Sequence, residues 1–279
     1  MRNLLVALKS RGEAVRLAAV AAALAGPDAR ASVVHVIETR SRGDFAEADL
    51  AVTQAVDAFR SLGITARGHV DVMGEGGVVG RLVERARESD ADVVVMGSRG
   101  LGEVRGLTAH SVSHGLLAGL DLPVLVLPDG AGTPVRRLRR VLVALGGEDD
   151  ADAAVKAVGL LRTPAIEVLA VHVPRRVALH AGEGPGGTFL EIGETSTAVL
   201  ATAVAHFKAA GLRIAIRTLD RDGGVADAIC ETARDWDAHL VVLGPHRRGS
   251  VSAVVGGSTA HAVLRHSERP VLIAGRSRR

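Results

Sequence analysis

The stretch that decides the fold runs from Asp90 to Pro128 and reads DADVVVMGSRGLGEVRGLTAHSVSHGLLAGLDLPVLVLP. Its apolar run Val93–Met96 has no polar alternation, which is typical of a parallel strand covered on both faces. Gly97 and Gly100 follow the run and allow the backbone to turn sharply. A helix start and a second apolar strand complete the unit. A strand, a glycine turn and a helix N-terminus together form the usual setting of a phosphate-binding site.

The same unit occurs a second time, at residues 237–274. Gly244 corresponds to Gly97 and lies 147 residues after it, and the other late matches keep that distance. The early matches are 137 residues apart, so the second copy contains additional residues between its early and late strands. We expect the additional residues in the glycine-rich segment 182–193, as a loop. The chain is therefore a tandem duplication.

Strand patterns alternate with helix patterns through both copies, and the connections between them are short. This order predicts two tandem doubly wound α/β domains, each with a five-stranded parallel, Rossmann-like sheet. The domain boundaries are predicted at 1–128 and 141–279, with a linker at 129–140. The third strand of the first copy, 64–72, alternates in part and is expected near a sheet edge, and 40–43 is expected to form a loop.

Right-handed crossovers place the C-terminal ends of parallel strands along one edge of the sheet. Ligands of such sheets bind in the crevice outside those ends, where the strand order reverses. The first, second and fourth strands of the first copy end near Lys9, Val36 and Gly97. We therefore expect these three positions to lie together.

The composition limits the possible partners and the compartment. Aromatic residues make up only 2% of the chain and Tyr is absent, so the cores must consist of Ala, Val and Leu. A net charge of +3 is too small to indicate a nucleic-acid partner. No apolar run approaches the ~20 residues that a membrane span requires. The lone Cys230 excludes an intrachain disulfide and fits a reducing compartment, so we expect a cytoplasmic protein.

No enzyme class is indicated by the motifs. The sequence has no Gly-x-Ser-x-Gly elbow, no Gly-Lys-Ser/Thr phosphate loop and no Cys/His spacing for a metal, so we expect neither a catalytic residue nor a metal site. Asp149, Asp150 and Asp152 could form a metal cluster, but carboxylates that complement a helix dipole are the favoured interpretation. His35 and His172 lie within apolar strands and are expected to be structural, hydrogen-bonded histidines.

Each copy joins an LLVAL- or VLVAL-type first strand and a His-Val second strand to the glycine turn, then to HSVSHGLL or GSTAHAVL and an apolar last strand. This combination resembles the tandem universal stress proteins over nearly the whole chain. The resemblance implies that the halves pair through their last strands as an internal pseudo-dimer. It also implies that two chains associate further as a homodimer.

Nucleotide-binding members of that family share a pattern of Gly, two residues, Gly, nine residues, Gly and Ser or Thr, with an Asp at the end of strand one. Glycine amides and a helix N-terminus there surround the phosphates, and the backbone after the strand-two His meets the adenine. The resemblance thus implies a cofactor site formed by Lys9, Val36, Gly97, Arg99, Gly100, Ser111, Gly146, Val173, Gly244, Arg247, Gly257, Ser258 and Thr259.

Neither copy keeps the pattern whole. In the first copy His110 stands at the third glycine position, and in the second Arg247 stands at the second. Lys9 and Gly146 replace the strand-one Asp, which removes a ribose or metal-linked partner. The basic replacements could instead pair with phosphate as charges.

The first functional hypothesis is therefore a stress-response protein that senses an adenine nucleotide, with ATP and accompanying Mg²⁺ as the possible ligands and without turnover. The alternative is an interaction module of the stress response that binds no nucleotide and acts through its dimer surface. Slow ATP hydrolysis is a third hypothesis, for which no general base is apparent near Ser111 or Ser258. If Lys9 and Arg247 supply charge to phosphate the first hypothesis holds, and if they block the crevice the second does.

Overall fold

A computed structural model gives the structure of the protein. It describes residues 1–26, 28–98, 115–116, 120–129, 138–161, 165–174, 176–178, 189–191, 194–220, 224–245 and 259–275. Of residues 176–178 and 189–191 it describes the backbone alone.

The first copy alternates strands and helices as the pattern predicts. A 3₁₀ turn, Arg11–Glu13, precedes its first helix. The elements are β1 (Asn3–Leu8), α1 (Ala14–Leu24), β2 (Arg30–Ile37), α2 (Arg42–Ser61), β3 (Thr65–Val72), α3 (Gly77–Glu88), β4 (Val93–Gly97) and β5 (Val124–Leu127).

The second copy repeats this order and adds a short strand pair, β8 and β9, after its second strand. Its elements are β6 (Arg140–Leu145), α4 (Asp150–Gly159), β7 (Glu167–His172), β8 (Arg176–Ala178), β9 (Phe189–Glu191), α5 (Ser196–Ala209), β10 (Ile214–Thr218), α6 (Val225–Asp235), β11 (Leu240–Leu243), α7 (Thr259–His266) and β12 (Val271–Ile273).

The ten strands of the two copies form one sheet in the order β10-β7-β6-β11-β12-β5-β4-β1-β2-β3. All pairs within each half are parallel, which confirms the doubly wound α/β prediction. The halves meet where β12 pairs antiparallel with β5, so they form the internal pseudo-dimer that the resemblance implied. β3 lies at one edge of the sheet, as its partial alternation predicted.

Helices cover both faces of the sheet, and an apolar core lies under each layer. The core beneath α1, α2, α4 and α5 runs without a break through both halves and contains the fully buried Phe59 and Phe207. The opposite core packs under α3, α6 and α7. Ala, Val and Leu supply most of both cores, as the composition required.

Local hydrogen bonds explain where the helices begin. The Ser41 side chain accepts a hydrogen bond from the Asp44 N–H at 3.1 Å, so α2 starts at Arg42 and the loop expected at 40–43 is shorter than predicted. The loop expected at 182–193 is also wrong in part, because β9 lies within it and pairs with β8. No helix among the described residues is long and apolar enough to cross a membrane.

Candidate functional site

The candidate crevice of the first half lies at the C-terminal ends of β1, β2 and β4. β1 is the central strand, with Leu8 in register with His35 on one side and Ala7 with Met96 on the other. Lys9, Val36 and Gly97 therefore lie together at this edge, as predicted. Lys9 is exposed, Val36 is half-buried and Gly97 is buried.

The second half places Gly146, Val173 and Gly244 in the same way, each one residue beyond β6, β7 or β11. Val173 is only 8% exposed, so this half offers less access at the predicted adenine position than the first. Thr259 is the first residue of α7 and is exposed. The other predicted site residues, Arg99, Gly100, Ser111, Arg247, Gly257 and Ser258, lie outside the described residues.

A buried carboxylate lies at the end of β1. Glu13 is 3% exposed and stands just before α1. Its Oε1 accepts hydrogen bonds from the Lys9 N–H and, at 3.3 Å, from the Ser10 N–H. Its Oε2 reaches β4, where a Cβ atom added to Gly97 would overlap it.

The second half repeats this arrangement with Asp150. This carboxylate is 6% exposed, and its Oδ2 accepts the Gly146 N–H at 2.8 Å. A Cβ atom on Gly244 would lie 2.5 Å from Cγ, 2.6 Å from Oδ2 and 2.8 Å from Oδ1. In both halves the glycine at the end of the fourth strand of the copy leaves room for a carboxylate.

The strand-one Asp is absent from both copies, but each half places a different carboxylate at the same strand end. Glu13 and Asp150 lie at the starts of the helices that follow, and their side chains point back to the strand ends. Each carboxylate there accepts the N–H of the residue at the former Asp position, Lys9 or Gly146. Sequence reasoning missed this pair, although the two acids are 137 residues apart, the same distance that relates the first strands. Asp150 was expected to complement the helix dipole, and it is the first residue of α4, but its hydrogen bond and burial tie it to the crevice.

The loops that follow the first strands of the two copies differ in charge. Between residues 9 and 16 the first half has three basic residues and the single acid Glu13. The corresponding residues 146–153 of the second half contain four acids and no base. Lys9 and Arg11 are exposed, and the Arg11 Nε–H donates to Gln54 at 3.0 Å. Among the described residues, the loop after β1 is therefore mainly basic and the loop after β6 mainly acidic, although Arg16 is paired with Asp129 and Asp152 with Lys156.

The equivalent strand-two histidines also differ. In the second half His172 is buried and its Nδ1 lies 2.8 Å from the Leu145 carbonyl oxygen, which confirms a satisfied structural histidine. In the first half Nδ1 of His35 is buried without a hydrogen-bond partner in the described part of the chain, so the hydrogen bond expected for His35 is not seen at this atom. Burial lowers the pKa of His35, against the opposing charges of Glu13 and Glu47.

Different polar contacts tie the loops beside each crevice. In the first half Arg16 donates to the Asp129 carbonyl at 2.7 Å, and the Asp129 N–H donates to Ser98 Oγ at 3.0 Å. These bonds join α1 to the segments that follow β4 and β5. Across the described ranges, no group of three or more His, Cys, Asp or Glu side chains is arranged to hold a metal ion.

The carboxylate of Glu194 performs a comparable role in the second half. It accepts the Glu148 N–H at 2.7 Å, and the Glu148 side chain accepts from Thr202 Oγ1 at 2.8 Å. The loop after β6 is thus fixed to α5 and to the segment that follows β9. The first of these contacts places one further acidic group, Glu194, beside the loop after β6.

Comparison with known proteins agrees with this architecture. Residues 1–128 and 137–275 each match the model of the universal stress protein family. A universal stress protein of Mycobacterium tuberculosis is 30% identical over 193 residues, which are 68% of this chain and 63% of that relative. Universal stress protein G of Salmonella typhimurium is 39% identical over 74 residues, 26% of this chain and 50% of that protein.

A similar fold is seen in a solved structure. The crystal structure of a universal stress protein from Archaeoglobus fulgidus has a TM-score of 0.70 at 20% identity, covering 98% of this chain and 96% of that one. The curated relative from Mycobacterium tuberculosis is matched over less than two thirds of its own length. Because both halves match the family and the strand order follows the same duplicated plan, the chain belongs to the universal stress protein family.

Proposed function

We propose that this chain is a stress-response protein that binds an adenine nucleotide, ATP or a relative, in the crevice of its first half and does not turn it over. The observation that carries the proposal is the charge contrast between the two copies of one crevice. Residues 9–16 contain three basic side chains, of which Arg16 is paired with Asp129, whereas residues 146–153 contain four acidic ones, of which Asp152 is paired with Lys156. A polyphosphate is therefore attracted to the first half and repelled by the second.

The buried acid decides how a nucleotide would lie. The Glu13 carboxylate covers Gly97 and takes the amides after β1, so a phosphate is excluded from that point. A ribose hydroxyl, which donates a hydrogen bond, suits this carboxylate. The base would lie toward Val36, and the phosphates would extend outward to the exposed Lys9 and Arg11. Mg²⁺ would accompany ATP and be held chiefly by the phosphates.

The second half supports the alternative hypothesis for its own crevice. Its acidic loop and the buried Val173 disfavour a nucleotide there. We infer that this half serves as a structural and interaction partner of the first. One nucleotide per chain is the resulting stoichiometry.

Calorimetric titration of the full chain with ATP and magnesium tests the proposal. We expect one site per chain, with affinity reduced about tenfold in Lys9→Ala because a hydrogen bond to a charged group is lost. The matched control is Gly146→Ala at the same position of the second half, which should leave the affinity unchanged. Release of inorganic phosphate should stay at the rate seen without protein.

Three results would count against the proposal. The absence of binding at millimolar ATP would remove nucleotide binding altogether. Equal weakening by Lys9→Ala and Gly146→Ala would remove the assignment to the first half. Two equivalent sites per chain would contradict the role given to the acidic loop of the second half.

A further inference from the structure

The strand β10 forms an open outer edge of the ten-stranded sheet. Its only strand neighbour among the described residues is β7. Four of its five residues, 215–218, are exposed. Ile216, at the centre of the strand, is 49% exposed although it is a large apolar residue. Such an edge is a template for pairing with a further strand.

The direction of the backbone groups on β10 follows from one hydrogen bond. The Leu219 N–H donates to the His172 carbonyl oxygen at 2.9 Å. The backbone N–H and C=O groups of the odd-numbered residues of this strand therefore point toward β7. Since backbone groups alternate in direction along a strand, Ile214, Ile216 and Thr218 turn their N–H and C=O groups outward. The edge thus presents a regular row of donors and acceptors.

The opposite edge of the sheet, β3, is different. Its Asp71 side chain forms ion pairs with Arg81 at 2.9 Å and Arg85 at 2.6 Å, and residues 69–72 are half-buried. The positions equivalent to these arginines in α6 are Ala228 and Thr232, which cannot form such ion pairs. The ion-pair cluster that flanks β3 therefore has no counterpart beside β10.

We propose that β10 pairs antiparallel with β10 of a second copy of this chain, around a two-fold axis through Ile216. In this register Ile216 opposes the second copy's Ile216, and Ile214 opposes Thr218 on each side of the axis. All of these residues point their backbone groups outward, so each opposing pair exchanges two hydrogen bonds. The two Ile216 side chains cover each other on the face where Ile214 already packs against the core.

Charge selects this register over its neighbours. With the axis at Ile216, Arg217 opposes Ala215 and Arg213 opposes Leu219. An axis one residue earlier would place Arg213 opposite Arg217, and one residue later would place Arg217 opposite itself. Like charges directly across a strand pair are destabilising, so of these three registers the central one is favoured. An axis at Ile214 or Thr218 also keeps the arginines apart, but it separates the two Ile216 side chains.

A second copy is the occupant because the chain already joins two edges in this way. β12 and β5 pair antiparallel over three residues of each strand at the centre of the sheet. The β10 contact is likewise short and buries far less than the ~1,200 Å² of a standard interface, so the dimer should be weak and concentration-dependent. Arg213 and Arg217 share one face of the strand, so added salt should tighten the dimer by screening their repulsion.

Sedimentation velocity over a concentration series of the full chain tests this interface. We expect a monomer–dimer equilibrium in the wild type that Ile216→Lys shifts to monomer, because two lysines would then meet on the axis. The matched control is Leu50→Lys, since Leu50 is 54% exposed on α2 and lies outside the interface. A wild type that stays monomeric throughout, or an Ile216→Lys variant that dimerises as strongly as the wild type, would overturn the proposal.

Cross-linking provides a second measurement that does not depend on a strong dimer. Cys230 is the only cysteine and is 8% exposed, so Ile216→Cys introduces a single accessible thiol. We expect oxidation to trap a covalent dimer of this variant, with a yield that rises with protein concentration, and Leu50→Cys to give much less. Equal yields from the two variants would place the contact elsewhere and overturn the inference.

Discussion

Replacement of Gly244 by alanine tests the pairing of a buried carboxylate with the glycine after the fourth strand. The new Cβ would lie 2.5 Å from Cγ of Asp150 and 2.6 and 2.8 Å from its two oxygens, so the whole carboxylate must move. Asp150 has a short side chain, is 6% exposed and accepts the Gly146 N–H at 2.8 Å. The movement therefore breaks a charge-assisted hydrogen bond at a buried position.

The magnitude follows from three opposing effects. Overpacking costs about 1–3 kcal/mol, and loss of a hydrogen bond to a charged acceptor costs about 1.5–3 kcal/mol. Movement of the Asp150 carboxylate toward water reduces both costs in part. In the opposite direction, replacing glycine by alanine stabilises the fold by about 0.4–1 kcal/mol, because it lowers the conformational entropy of the unfolded chain. We expect Gly244→Ala to lower the free energy of unfolding by about 2 kcal/mol. Gly97→Ala should cost about half as much, because only the end of the longer Glu13 side chain is displaced.

Urea unfolding monitored by circular dichroism measures these differences. Gly159→Ala is the matched control, because a Cβ atom there meets nothing within 4 Å and should be neutral or slightly stabilising. In a double-mutant cycle, Gly244→Ala should cost almost nothing once Asp150→Ala has removed the carboxylate. Additive costs, within about 0.5 kcal/mol, would refute the idea that this glycine is required to admit the carboxylate.

Three further predictions concern stability and reactivity. Burial raises the pKa of Asp71, but hydrogen bonds and charge from Arg85 and Arg81 outweigh this effect, so the pKa lies below its ordinary value. The ion pairs of Asp71 therefore stabilise the fold fully above about pH 4, and this stabilisation is lost as the pH falls through the pKa of the folded state. Asp71→Asn should therefore destabilise the protein by about 1–2 kcal/mol at neutral pH and by much less in acid, as urea titrations at both pH values would show. Burial raises the pKa of Cys230 to about 11, so its reaction with a thiol reagent at pH 8 should be slow until the chain is unfolded, and a rapid reaction of the folded protein would contradict this. Gly275→Ala should lower the thermal midpoint by several degrees, because its Cβ would overlap the main chain before β5, and an unchanged midpoint would show that this segment can move.

Much of the fold could be predicted because the pattern of each main strand and helix occurs twice in the sequence. Continuous apolar runs such as Val93–Met96 predicted buried parallel strands, and the sheet contains them at its centre. Constant offsets between the copies predicted that equivalent residues end at equivalent edges, and Gly97 and Gly244 do so. The pairing of the two halves through their last strands was implied by the family resemblance alone, and no local pattern in β12 or β5 predicted that this pairing is antiparallel.

The side chains of the crevice were less predictable. A motif compares residue types at fixed positions, so Lys9 and Gly146 counted as replacements of the Asp. The motif could not show that an acid four residues later places its carboxylate at the same strand end. The burial of Asp150 depends on the direction of a side chain at a helix start, which periodicity does not determine. The strand pair of β8 and β9 was likewise missed, because a glycine-rich composition favours a loop whether or not its ends pair.

The two copies of the fold share one structural feature of the crevice and differ in the charged residues around it. Both keep the carboxylate beneath the glycine, since losing either member would disturb the centre of the sheet edge on which each half depends. The loop residues outside that pair are free of this constraint, and there the copies have diverged to opposite charge. The backbone arrangement of the crevice is thus present twice, but Lys9 and Arg11 of the first copy correspond to Gly146 and Glu148 of the second, so the attraction that we propose for a polyphosphate belongs to the first copy. A single charged ligand would then act on one half of a continuous ten-stranded sheet, and the other half would respond only through the strands they share.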